Sequence, residues 1–284
     1  MRHIHATATA VGQALQGPAG LSLSLIAACV LAGAGCADDA SPGIDAAPGI
    51  DAAPGIDAAP VDAMSTCAAD QVSFTGSYID WDGNSTGPFN TLDTTVAEVA
   101  NPDNSTTITA PNGRVTTMCM PQAGDSIVTL THPDYLTLRY TFHPVSDAGG
   151  FDLRGLTPAR ADELFTGLGI TRDTATAQVL VAVRMSTTNP DAVGDPVVGA
   201  RVQLGNAAAG TYVDTGSGDF GAGDTLLTGG AATGAFVLFA NTEVGGGEAT
   251  VTVTPPAQVT CDGPSSIQVS AGELAATTVT CRSL

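Results

Sequence analysis

From Val72 onward the chain reads as short runs rich in Val, Thr, Ile, Phe and Tyr, each closed by Gly, Pro, Asn or Asp. This rhythm limits the possible folds more than any other feature. The clearest runs are Val72–Tyr78, Ser126–Thr131, Tyr135–Phe142, Ala177–Val183, Ala200–Leu204, Gly234–Phe239 and Glu248–Val253. Each is of strand length, and β-branched and aromatic side chains suit a pleated, half-buried surface. In Tyr135–Phe142 bulky and polar residues alternate, as a strand with one buried face requires. The predicted fold class is mainly β: two tandem antiparallel β-sandwich modules, over 67–148 and 175–284. A connector over 149–174 carries the one helix signal, Pro158–Leu168. Thr157 is placed to cap it, Pro158 suits its first position, and Gly167 and Gly169 end it. Ala161, Leu164, Phe165 and Leu168 share one face. They fit a packing helix between sandwiches better than a partner-docking helix.

The segment before the first module cannot build a core. Three hexads, Pro42–Ala47, Pro48–Ala53 and Pro54–Ala59, repeat Pro-Gly-Ile-Asp-Ala-Ala, and a decayed fourth follows at Pro60–Ala63. One Ile per hexad buries too little, and Pro at every sixth position forbids a long helix. Asp45, Asp51, Asp57 and Asp62 repel one another. Residues 37–66 therefore read as a disordered, extended acidic tether.

Residues 1–36 read as an export signal. Leu21–Leu31 is an apolar stretch too short to span a bilayer, which needs ~20 residues. Ala32-Gly33-Ala34-Gly35-Cys36 resembles the lipobox of bacterial lipoproteins, in which the Cys is acylated and becomes the new amino terminus. Gly33 stands where that pattern usually has Leu. The alternative is ordinary cleavage after Ala34. Cysteine parity favours lipidation at Cys36: of the 6 Cys, Cys29 leaves with the leader, and Cys67, Cys119, Cys261 and Cys281 remain as an even set for an oxidising compartment. Four cysteines allow three connectivities, and proximity favours Cys67–Cys119 with Cys261–Cys281. No C-x2-4-C pair supports a metal reading.

All 9 basic residues are Arg, against 28 acidic ones, for a net charge of −19. No basic stripe exists to neutralise phosphates, so nucleic acid is excluded as a partner. A polybasic hold on a membrane surface is excluded too.

A family resemblance covers Val72–Phe142. Gly76-Ser-Tyr-Ile-Asp-Trp-Asp-Gly83 resembles the opening hairpin of carboxypeptidase regulatory-like domains, which are small transthyretin-like β-sandwiches. Thr109-Ala-Pro-Asn-Gly-Arg-Val115 resembles their T-x-x-x-G-x-[FV] element. Ser126–Tyr135 resembles the following strand and its tyrosine, with Asp134 in place of the usual Gly. Pro196–Leu204, Thr233–Asn241 and Gly247–Val253 resemble later strands of the same family and suggest a looser second copy. The resemblance implies a β-sandwich without catalytic residues or cofactors.

Candidate sites are few. Asp80-Trp81-Asp82-Gly83-Asn84 places oxygens at alternate positions beside the single Trp of the chain. Ser85 and Thr91 stand where an EF-hand loop needs Gly and Glu, so that reading fails. A tip aromatic flanked by Asp80, Asp82 and Asn84 is a candidate carbohydrate contact. The alternative is that Trp81 folds back and covers the core. Asp214-Thr215-Gly216-Ser217 matches an aspartic-protease triplet, but that chemistry needs two such carboxylates and no second D-[ST]-G occurs. The Gly/Asp echo over Gly216–Asp224 has the wrong period for a calcium repeat. His132 and His143, each followed by Pro, read as turn residues.

These features predict an exported, non-enzymatic surface lipoprotein without cofactor, anchored in the outer membrane by lipid. Its β modules would serve adhesion or bind a polysaccharide or surface-protein ligand. The alternatives are a purely structural envelope protein, a secreted soluble form, and a hydrolase with an unrecognised acidic site.

Overall fold

The computed structural model describes residues 67–82, 91–110, 113–144, 151–187, 194–215, 220–226 and 236–284. The leader, Cys36, the hexad tether and Asn84 lie outside the described residues. Among the described residues, sixteen strands and one helix follow in order: β1 (Gln71–Asp80), β2 (Thr95–Glu98), β3 (Ser105–Thr107), β4 (Arg114–Pro121), β5 (Ser126–Thr131), β6 (Leu138–Phe142), β7 (Phe151–Gly155), α1 (Pro158–Gly167), β8 (Ala177–Met185), β9 (Arg201–Leu204), β10 (Gly210–Asp214), β11 (Phe220–Ala222), β12 (Phe236–Thr242), β13 (Glu248–Thr254), β14 (Val259–Asp262), β15 (Ser266–Gln268) and β16 (Leu274–Ser283). The protein is mainly β, with sheets stacked in a sandwich-like arrangement.

The predicted strands over 72–78, 126–131, 177–183, 200–204, 234–239 and 248–253 correspond to β1, β5, β8, β9, β12 and β13. Tyr135–Phe142 forms a strand only from Leu138. Its first residues belong to a turn, where the Tyr135 N–H donates to the His132 carbonyl at 3.3 Å and the Leu136 N–H to the Leu156 carbonyl at 2.9 Å. The helix forms as expected: the Thr157 hydroxyl accepts from the Arg160 N–H, Pro158 opens it, and Ala161 and Phe165 are buried.

The two expected modules are not separate sheets. One ten-stranded sheet runs β11-β10-β12-β8-β16-β6-β5-β2-β3, with β14 added on β16, and so takes strands from both sides of the predicted boundary. The join is β16, which pairs in parallel with β6 on one side and with β8 on the other. The described residues accordingly fall in one compact unit. The connector also contributes more than a helix, because its β7 pairs in parallel with β1. Pairing is otherwise antiparallel.

Two cores share this sheet. In β8, Leu180 and Ala182 belong to one hydrophobic cluster, and Val179, Val181 and Val183 to the other. In β12, Phe236 and Leu238 divide from Val237 and Phe239 in the same way, and in β16 Leu274 and Ala276 divide from Ala275 and Val279. Period-two alternation sends neighbours to opposite faces, so a strand buried on both faces must be apolar throughout. That accounts for the uninterrupted Val179-Leu-Val-Ala-Val183 run. The first core is closed by the β4-β1-β7 sheet, through Phe74, Tyr78, Met120 and Leu153, and by Phe165 of α1. The second is closed by the β15-β13-β9 sheet, through Val202, Ala249, Val251 and Ile267.

Both disulfides favoured by proximity are formed, Cys67–Cys119 across 52 residues and Cys261–Cys281 across 20. Loop-entropy arithmetic assigns them roughly 4 and 3 kcal/mol.

Candidate functional site

The tip after β1 holds the sequence-predicted ligand residues, and each described one has a partner inside the protein. The Asp80 carboxylate accepts from the Tyr135 hydroxyl at 2.9 Å and from the Asp82 N–H at 3.0 Å. Asp82 receives a forked ion pair from Arg160 of α1, with Nε 2.8 Å and Nη2 3.0 Å from its two oxygens. The Trp81 N–H donates to the Gly155 carbonyl at 2.8 Å. Its indole is half-buried and stacks on Phe220 of β11, with ring centroids 6.0 Å apart and planes 25° from parallel. It also meets Phe236 of β12 at 6.5 Å, and the Arg184 guanidinium lies 5.6 Å from the Phe236 ring centre. The tip aromatic therefore docks the end of β1 onto two strands from the second half of the chain.

Behind the tip sits a tyrosine pair. Tyr78 and Tyr135 meet edge to face, with centroids 6.1 Å apart, and His132 packs on Tyr135 at 5.1 Å. Gly155 makes room for them: a Cβ there would lie 2.8 Å from the Tyr78 hydroxyl and 2.9 Å from Tyr135 Cδ1. Tyr78 is fully buried, and its hydroxyl has no hydrogen-bond partner among the described residues. Burial first, then the neighbouring Tyr135 and Asp80, push the Tyr78 phenol well above its usual range. Burial and the Asp80 hydrogen bond do the same for Tyr135.

A phenol raised in the folded state contributes stability that is complete below its unfolded value of about 10 and is lost as pH rises through the folded value. The protein is thus expected to weaken at strongly alkaline pH. Tyr78→Phe removes a buried hydroxyl with nothing to bond, so a gain of about 1 kcal/mol at pH 7 and a higher alkaline midpoint are expected. Guanidinium melts at neutral and alkaline pH measure both. A less stable Tyr78→Phe protein would mean that the hydroxyl has a partner after all.

The remaining candidates are dispersed. Asp214 is buried at the end of β10, opposite Phe220 in the ladder, while Gly216 and Ser217 lie outside the described residues. His143 lies between two carboxylates, Asp125 at Nδ1 and Asp262 at Nε2, the latter 3.3 Å away. Among the described residues, no group of three or more His, Cys, Asp or Glu is placed to hold a metal ion. No helix among them is long and apolar enough to cross a membrane. Sequence reasoning missed Phe220, Arg160 and Gly155 as partners of the tip. Gly/Asp-rich surroundings hide Phe220, and only chain topology brings the other two to β1.

No family model matches this chain, and no curated protein sequence matches it. Similar solved structures include the minor pilin GBS52 of Streptococcus agalactiae, with a TM-score of 0.26 and 9% identity over 75% of this chain and 96% of that one. A double mutant of the shaft pilin SpaA of Lactobacillus rhamnosus GG has a TM-score of 0.22 and 11% identity over 75% and 98%. At these scores the likeness carries no inference about activity or partners.

Proposed function

We propose that this chain is an exported, non-enzymatic surface protein, anchored in the outer membrane through a lipid on Cys36 and carried on the acidic hexad tether. Its β-sheet unit serves adhesion or a structural role in the envelope. The observation that carries the reading is cysteine use. The two bridges consume Cys67, Cys119, Cys261 and Cys281, every cysteine after the lipobox-like segment, which leaves Cys36 available for acylation. Structural disulfides also suit an oxidising, extracytoplasmic compartment. The resemblance of Val72–Phe142 to carboxypeptidase regulatory-like domains fits an accessory β-sandwich without a catalytic centre.

Mass spectrometry of the mature amino terminus tests the anchor. An acylated Cys36 is expected, and Cys36→Ser should release the protein from the membrane fraction. A free Gly35 terminus would replace the anchored form with a secreted one. Ala37, rather than Asp, follows the Cys, which favours outer-membrane sorting by the enterobacterial rule.

Within this reading the tip favours a structural role over glycan binding, because Phe220, Asp82 and Asp80 are already engaged. Trp81→Ala is expected to cost about 2 kcal/mol, below the ~3–5 kcal/mol of a fully buried Trp. Urea unfolding of the purified protein measures it. Unchanged stability together with a glycan-dependent shift of Trp81 fluorescence would return the tip to ligand binding.

A further inference from the structure

The disulfides close around the central strands of two sheets. The loop from Cys67 to Cys119 contains β1, β2, β3 and most of β4, and β1 is the middle strand of β4-β1-β7. The loop from Cys261 to Cys281 contains β15 and most of β16, and β16 stands between β6 and β8 in the ten-stranded sheet. Cys261 and Cys281 face each other directly across the β14–β16 ladder. Cys119 lies opposite Ser73 in the β1–β4 ladder.

We infer that these staples make the folded unit a tension-resistant module, in which tension applied along the chain passes from Cys67 to Cys119 and from Cys281 to Cys261, bypassing β1 and most of β16. A strand under tension is lost from its pulled end, one ladder position at a time or all at once in shear. A covalent bridge across the mouth of a loop removes that end from the load path. Both sheltered strands hold core residues and bond to a neighbour on each side. β1 carries Phe74 and Tyr78 into the first core, and β16 contributes to both cores and joins the two halves of the sheet. Load from upstream enters the described residues at Cys67. The source of that load rests on the anchored reading above; the path through the protein does not.

Single-molecule stretching of the full oxidised chain tests the path. One pair of handles sits in the tether and after Leu284, and a second pair at Gln122 and Gln258, just inside the two staples. Equal first-rupture force is expected from both pairs, with a length gain from the ends larger only by roughly 30 Å, from the few residues between the inner handles and the staples and after Cys281. With Cys67→Ser/Cys119→Ser, stretching from the ends should lengthen the gain by roughly 170–190 Å, from 52 freed residues at ~3.3–3.6 Å each. With Cys261→Ser/Cys281→Ser the added gain should be about 65–70 Å, from 20 freed residues. In both variants the first rupture should move to lower force. The idea is overturned if the oxidised chain breaks at lower force from its ends than from the inner handles, or if the folded Ser variants keep the original rupture force. The inner-handle comparison uses the native disulfides, so it decides the question even where a Ser variant fails to fold. A non-acylated amino terminus would refute the anchor and leave these forces unchanged, so the two ideas fail separately.

Discussion

Gly113→Ala is expected to unfold the protein or lower its stability by about 3–5 kcal/mol, combining left-handed backbone strain with overpacking. Gly113 sits at φ +67°, where a Cβ is disfavoured, and a Cβ there would lie 2.2 Å from the Tyr78 carbonyl oxygen. That oxygen belongs to the backbone of β1 and already accepts from the Thr91 hydroxyl at 2.8 Å. The Gly113 carbonyl in turn accepts from the Tyr78 N–H at 2.8 Å. The clash cannot be relieved by a rotamer change, because the β1–β4 ladder holds both backbones. Thermal melting followed by circular dichroism is the measurement. A fall of only a few degrees would mean that the Tyr78 and Gly113 backbones can part without harm.

The second large effect tests the shared sheet. Ala275 is fully buried and faces the second core, whereas Trp81 packs against the first. Ala275→Asp places a carboxylate among Val179, Val181 and their neighbours; Arg139, across from it in the β6–β16 ladder, is already held by Glu273 at 2.8 Å and offsets only part of the desolvation. A cost of several kcal/mol follows, a large part of a domain's ~5–15 kcal/mol. Because β16 is bonded to β6 as well as to β8, loss of β16 should carry the first core with it. Trp81 fluorescence and far-ultraviolet circular dichroism are expected to report one coincident transition, shifted together in the variant. Retention of native Trp81 emission while half of the dichroism is lost would show two independent modules.

Much of the strand inventory was legible in the sequence. Runs such as Ser126–Thr131 and Glu248–Thr254 have one buried and one exposed face, so their alternation is written residue by residue. The helix was legible for the same reason: Thr157, Pro158 and Gly169 act on their own neighbours. The tip at Trp81 was readable as a place but not as an environment. An aromatic in a turn looks exposed until another part of the chain supplies its stacking partner, and Phe220 comes from 139 residues further on only because β11 ends the ten-stranded sheet beside it.

Local chemistry in the chain was enough to specify β structure, the turns, the helix caps and the pool of four cysteines, since each depends on residues a few positions apart. Sheet membership was settled only by packing. Leu274–Ser283, with its Ala and Thr residues, carries no strong apolar pattern, yet it forms the strand that fuses the two halves. Its small side chains suit that place: Ala275 and Ala276 point to opposite faces where two cores meet across a single backbone, and both are buried. A strand's own residues determine that it can pair. Its neighbours follow from the joint filling of two cores, which no short stretch of sequence records.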